Sequence, residues 1–177
     1  WNVSRAPVLD TVNGMPWHAN VATTGKIYSY RWRCASFMDP LERRYRAHWY
    51  KEPMDLERLE QGIRLFEGQR DFASWANRVA HMAPPGQGER NTVRTIRRIE
   101  LVEEDAASGD YRLDFELDGA LYRMVRNIVG GLWDLAAGRT TEGQITEVFG
   151  YRDRHQNPAR SAPPEGLTLE DVFYDGY

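Results

Sequence analysis

Arginine is the residue type in this 177-residue chain best suited to chemistry. Only Lys26 and Lys51 of the 23 basic residues are lysine, and the rest are arginine. The planar guanidinium fork pairs with phosphates and carboxylates and stacks on bases. A GC-rich coding sequence would favour the same bias, so composition alone leaves both readings open. The arginines cluster at Arg43-Arg44-Tyr45-Arg46, at Arg94 with Arg97-Arg98, at Arg123 with Arg126, and at Arg152-Asp153-Arg154. Arg126 is the most constrained of them. It lies in Leu121–Asp134, where Leu121, Met124, Val125, Ile128, Val129 and Leu132 recur at helical spacing. At about 100° per residue it falls at the edge of that apolar stripe, beside Val129 and Trp133. A half-buried arginine there calls for an anionic partner. The same helix carries Gly130-Gly131, a pair that costs about 2 kcal/mol against alanine in a helix interior. Either something approaches that backbone closely, or the helix starts or bends there.

Other familiar chemistries find no support. His18, His48, His81 and His155 are scattered without ligand spacing, so a zinc site is not expected. There is no phosphate loop, no G-x-G-x-x-G and no G-x-S-x-G. Cys34, the single cysteine, sits in an aromatic strand and reads as packing rather than nucleophile. Net charge is −3, hydrophobic residues make up 41% and charged residues 28%. That suits a globular domain with a real core. The acidic balance argues against nucleic acid at first sight, yet an acidic chain can still present one basic face. No apolar run has the length of a membrane span.

The elements that must position these residues follow from periodicity. Lys26–Arg33 alternates and is rich in aromatics, which predicts a strand. Asp55–Phe66 places Leu56, Leu59, Ile63 and Phe66 on one face of a helix that Gly68 ends. Asp71–Trp75 is a short element and Ala83–Gly88 a loop. Val93–Val102 and Tyr111–Leu117 are strands joined across Glu103–Gly109, a long connection for a tight hairpin. The glycine-bearing helix, a short helix over Glu142–Phe149, a loop over Ser161–Glu165 and a last strand over Leu167–Tyr174 complete the chain. Strands in pairs followed by helices predict an α+β fold, mainly antiparallel, with helices packed on one face.

Several segments resemble one known family. Leu121-Tyr-Arg-Met-Val-Arg-Asn-Ile-Val-Gly130 is similar to a motif of the TruA family of tRNA pseudouridine synthases. Trp17-His-Ala19 and Gly25-Lys-Ile-Tyr-Ser-Tyr30 resemble its F-H-A followed by a basic-x-Tyr-x-Tyr strand. Gly68-Gln-Arg-Asp-Phe-Ala-Ser74 looks like its G-x-H-D-F-x-S, and Asn91-Thr-Val-Arg-Thr-Ile96 like a further strand signature. Asp153-Arg154 and Ala162-Pro-Pro-Glu-Gly-Leu-Thr-Leu169 resemble its closing motifs. The resemblance runs in order through the chain and identifies residues 1–177 with the C-terminal domain of that family.

The resemblance implies isomerisation of uridine to pseudouridine in the anticodon arm of tRNA, without metal or cofactor. An aspartate initiates cleavage of the glycosidic bond, the uracil rotates, and C5 rejoins the sugar. The base must first leave its stack. Carried over, Tyr28 stacks on the flipped uracil or assists its proton transfer. Arg126 pairs with the catalytic aspartate, and a nearby cation favours the carboxylate form. Leu167 and Leu169 wall the uracil pocket, and Lys26, Asn127 and Arg94 join them in binding substrate. Two departures stand out. The family's G-R-T-D-A-G-V-H, which carries the aspartate, is nowhere in these residues. The arginine that follows F-H-A in the family is Asn20, and the histidine before D-F is Arg70.

The expectation is therefore an isomerase whose catalytic aspartate lies in an N-terminal half, with these residues inactive alone. The alternative is a catalytically inactive structural or RNA-binding subunit of a larger assembly, such as an organellar ribonucleoprotein. On the first reading tRNA is the partner, with a homodimer possible; on the second, protein subunits cover the Arg126 cleft. Cytoplasmic and organellar locations, mitochondrion or plastid, both stay open.

Overall fold

The computed structural model describes residues 17–19, 22–50, 52–77 and 91–174. Asn20, His81 and the Ala83–Gly88 segment lie outside the described residues. Six strands form one sheet: β1 (Thr23–Cys34), β2 (Ala47–Trp49), β3 (Gly68–Asp71), β4 (Val93–Asp105), β5 (Asp110–Leu117) and β6 (Leu167–Tyr174). The order is β2-β1-β5-β4-β3, with β6 also pairing with β1. All pairings are antiparallel except β1 with β2, which meet at Trp32↔Ala47 and Cys34↔Trp49. Three helices accompany it: α1 (Leu56–Ile63), α2 (Met124–Ala136) and α3 (Glu142–Tyr151). The fold is the expected α+β, mainly antiparallel. Among the described residues no helix is long and apolar enough to cross a membrane.

Alternation along the strands separates two unlike faces. Tyr30 and Trp32 of β1, Leu113, Phe115 and Leu117 of β5, and Ile96 and Ile99 of β4 are buried on one face. α2 packs there, and Trp133 meets Tyr30 edge-on at 5.6 Å and Trp32 at 6.0 Å between ring centroids. α1 packs beside α2, with Leu59 fully buried. α3 packs against the helical turn at Ala73–Trp75. Its Phe149 reaches Phe66, Phe72 and Trp75, each at 5.7 Å between centroids.

The helices begin and end where local chemistry dictates. Asp55 accepts from the Arg58 amide and caps α1. That helix stops at Ile63, short of the expected Phe66, and Gly68, at φ +87°, opens β3 instead of ending a helix. α2 starts at Met124, three residues later than its apolar pattern, because Arg123 adopts φ +61°. Thr141 and Gln144 exchange hydrogen bonds in a capping box that starts α3. The hairpin between β4 and β5 is tighter than expected: both strands run on, and only Ala106–Gly109 lies between them.

The glycine pair of α2 has its cause in close approach, as anticipated. A Cβ on Gly130 would fall inside the contact shell of the Arg160 carbonyl oxygen, which is backbone and cannot swing away. A Cβ on Gly131 would lie 2.7 Å from the Trp75 ring.

The opposite face is a lattice of ion pairs. Arg33 binds Asp110 at 2.7 Å and Glu42 at 2.7 Å. Glu104 pairs with Arg46 at 2.8 Å and Arg112 at 2.7 Å. Arg31 reaches Glu170 at 2.8 Å, and Ser29 also donates to Glu170.

Gly130→Ala should destabilise by about 1–3 kcal/mol through overpacking. Gly150→Ala, with open space around it in α3, should be neutral or stabilise by a few tenths; urea midpoints at constant slope check both. Burial raises the Glu104 pKa, but the Arg46 and Arg112 guanidiniums outweigh it and hold the group below its ordinary 4.5. Glu170 is held low by Ser29 and Arg31. Their folded pKa values lie below the unfolded ones, so their stabilisation is present above pH 4.5 and lost as pH falls below it. Glu104→Gln should melt lower at neutral pH and show a shallower loss of Tm between about pH 5 and 3.

Candidate active site

The helix-facing side of β1 places Tyr28 next to Tyr30, and β6 aligns with both. Tyr28 pairs with Leu169, and Tyr30 with Leu167. Cross-strand partners point to one face, so Tyr28, Tyr30, Leu167 and Leu169 form one small apolar field. Leu169 is exposed, whereas Leu167 and Tyr28 are half-buried. Burial pushes the Tyr28 phenol above its ordinary value, so it stays protonated at neutral pH. Tyr30 is fully buried and donates to the Pro163 carbonyl at 2.8 Å. Burial, then Glu165, push the Tyr30 phenol up, and the nearby Arg126 charge pulls it back.

Arg126 stands at the margin of this field. Its Nε donates to the Ala162 carbonyl at 2.7 Å, and the Ala162 amide donates to the Arg126 carbonyl at 2.9 Å. The guanidinium is thus held by one nitrogen. Its two terminal nitrogens have no hydrogen bond or ion pair among the described residues. A cation presented this way can take a carboxylate or phosphate from outside these residues. Among the described residues a backbone carbonyl stands where the anionic partner was expected.

The segment that supplies this carbonyl is itself tied down. Arg154 reaches the Asn157 and Ala159 carbonyls, each at 2.7 Å. Asn157 donates to the Ser74 carbonyl at 2.9 Å and accepts from the Ala159 amide at 2.9 Å. Gly166 lies so close to the Tyr30 ring that a Cβ there would be 2.8 Å from it.

A family described as "tRNA pseudouridine synthase" matches residues 63–175. This chain belongs to the tRNA pseudouridine synthase family. It is 39% identical over 158 residues to tRNA pseudouridine synthase A 1 of Protochlamydia amoebophila, covering 89% of this chain and 58% of that protein. It is 33% identical over 159 residues to tRNA pseudouridine synthase A of Listeria innocua, covering 89% and 60% respectively. The chain thus spans about three fifths of the length of these curated relatives. A chain of a Cbf5-Nop10-Gar1 complex is similar at a TM-score of 0.32 and 15% identity, over 66% of this chain and 27% of that one. That likeness is too loose to bear on the fold.

The residues expected to act do not all lie together. Tyr28, Leu167, Leu169 and Arg126 share one side of the β1–β6 edge. Lys26 lies one step further along β1, paired with Val172 and Leu117. Arg94 is more distant: it sits on β4 opposite Arg70, with β5 between it and β1. At about 4.8 Å per strand that is roughly 10 Å across the sheet. Its guanidinium donates to the Val93 carbonyl at 2.6 Å and the Asn91 carbonyl at 3.1 Å.

Asn127 is a correction. It is fully buried, and its amide is spent on the Trp75 carbonyl, Asn77 and Ser161. It cannot touch a substrate; as the neighbour of Arg126 on a helix, it points about 100° away, into the core. Most of the clustered arginines are likewise engaged within the chain. Arg46, Arg97, Arg98 and Arg152 pair with Glu104, Glu116, Glu100 and Asp71. Cys34 is half-buried, and burial raises its thiol pKa, which suits packing.

Tyr30, Ser161 and the Ala162 carbonyl were not foreseen as parts of the site. Tyr30 alternates with Tyr28 and carried a signal; a backbone carbonyl carries none. Tyr30→Phe would leave the Pro163 carbonyl without this donor. It should cost about 1–2 kcal/mol, read as a lower urea midpoint with unchanged slope.

Proposed function

We propose that this chain supplies the C-terminal half of the active site of a pseudouridine synthase acting on uridine in the anticodon arm of tRNA. The observation that carries this reading is the half-satisfied guanidinium of Arg126. Its Nε is bound to Ala162 and its terminal nitrogens have no hydrogen bond or ion pair among the described residues, near Tyr30 of the field that Tyr28, Leu167 and Leu169 share. In this reading the complete protein brings an aspartate to that open end. The guanidinium holds the carboxylate ionised and aims it at the nucleotide.

The reaction is an isomerisation. The N1–C1′ bond breaks, the uracil turns in the pocket, and a C5–C1′ bond forms. C5 loses its hydrogen to water while N1 takes up a proton, so atoms balance without an oxidant or cofactor. Between the two bond changes the free uracil must be kept from leaving. An apolar wall at Leu167 and Leu169 and a stacking ring at Tyr28 do that. A phenol kept protonated by burial can stack and donate, but is poorly suited to act as a base at neutral pH. The base reaches this pocket only after leaving its stack, so tRNA is the partner the reading requires.

Release of tritium from tRNA carrying C5-tritiated uridine measures the reaction. The complete protein should release it. Arg126→Gln should lower kcat by roughly 10²–10³-fold with little change in KM, the pattern of an interaction made in the transition state. Tyr28→Phe keeps the ring and should retain most of the turnover, whereas Tyr28→Leu should not. Wild-type turnover in Arg126→Gln, or no release from the complete protein, would overturn the reading.

A further inference from the structure

We propose that Asn127 and Ser161 are positioning residues that set the angle at which Arg126 presents its open end. The inference rests on the role of Arg126 proposed above and names what holds it in place. Among the described residues, the hydrogen bonds that Arg126 makes outside α2 go to Ala162 alone, as a reciprocal pair of 2.7 and 2.9 Å. Wherever Ala162 moves, the guanidinium follows. Ala162 lies in an irregular segment with no strand or helix of its own to fix it.

What fixes it is a buried junction directly behind Arg126. Asn127 Nδ2 donates to the Trp75 carbonyl at 2.8 Å and to Asn77 Oδ1 at 3.1 Å, and its Oδ1 accepts from Ser161 Oγ. Three segments far apart in sequence therefore meet on one amide: the turn after β3, the second residue of the Arg126-Asn127 pair, and the residue before Ala162. On the other side of Ala162, Pro163 is pinned by Tyr30. Residue 162 is thus clamped between two hydrogen-bonded neighbours, and Gly130 lets the segment lie flat on α2 through Arg160. An amide buried this deeply needs its partners. Its choice of partners places the loop, and the loop places the arginine. Misplacing a reacting group by an ångström costs up to about 100-fold in rate, so a link one residue removed from Arg126 reaches the chemistry.

The test uses the complete protein, labelled with ¹⁵N, and reads two quantities. The first is hydrogen exchange at the Arg126 Nε–H, assigned by its loss in Arg126→Lys. The second is kcat against KM for tritium release from tRNA. In the wild type the Nε–H should exchange slowly. Ser161→Ala, melted by circular dichroism to establish folding, should speed that exchange at least about tenfold. Its kcat should fall roughly 10- to 100-fold with KM within about twofold. Ser161→Thr keeps the hydroxyl and should restore both. If Ser161→Ala does not fold, Tyr30→Phe, which loosens Pro163 from the other side, should give the same pair of changes. A folded Ser161→Ala with wild-type exchange and wild-type kcat overturns the inference. So does a fall in melting temperature with neither readout moved, the mark of a merely structural link. Failure of the underlying reading looks different: Arg126→Gln would then turn over like wild type while the Nε–H responses persist.

Discussion

One contact determines much of this molecule: the backbone of residues 160–162 lies directly against the backbone of α2. It exists because residue 130 has no side chain, since a methyl group there would occupy the space of the Arg160 carbonyl. The loop can therefore reach α2 with its peptide groups, and Arg126 and Ala162 bind each other through main chain and side chain at once. The helix accepts a glycine pair against its own propensity because Gly130 admits the loop and Gly131 admits the Trp75 ring. The penalty is intrinsic to the helix, and the gain is tertiary.

The two faces of the sheet divide the labour of an arginine-rich composition. On the outer face Arg31, Arg33, Arg46 and Arg112 are matched by Glu42, Glu104, Asp110, Asp114 and Glu170. These guanidiniums are part of the scaffold, and their partly exposed pairs stabilise modestly. On the helix side Arg126 gives only its Nε to a carbonyl, and its terminal nitrogens have no hydrogen bond or ion pair among the described residues. The same residue type thus serves two ends, and the partner rather than the residue tells them apart.

Much of the fold was legible in the sequence, and the reasons differ by element. β1 announces itself by alternation and aromatic content, and the glycine pair of α2 by its cost. β2 spans three residues and β3 four, too short for any period to register. α1 ends before its apolar pattern does, because Leu65 and Phe66 continue the buried side in a turn. Arg126 was legible as an arginine at the rim of a stripe. Asn127 beside it was misread as a substrate contact because family motifs record that a residue matters, not which way it points. The segment before β6 shows only as a loop, since its hydrogen bonds are made by carbonyls that every residue possesses.

The anchoring of Arg126 also has an entropic side. An unrestrained arginine carries about 2 kcal/mol of rotamer freedom, and forming an ion pair with a free one forfeits much of it on association. Here the Nε bond to Ala162 fixes the chain up to the guanidinium as the protein folds. The loss of freedom falls on the folding equilibrium, leaving the encounter with an anion nearly free of it. A guanidinium tethered at its inner nitrogen can still meet a partner with both outer ones, so the arriving group finds a two-pronged receptor already oriented. Lysine, with its three donors on one nitrogen, could bind the carbonyl and an anion together only at that single atom, without a separate planar outer edge.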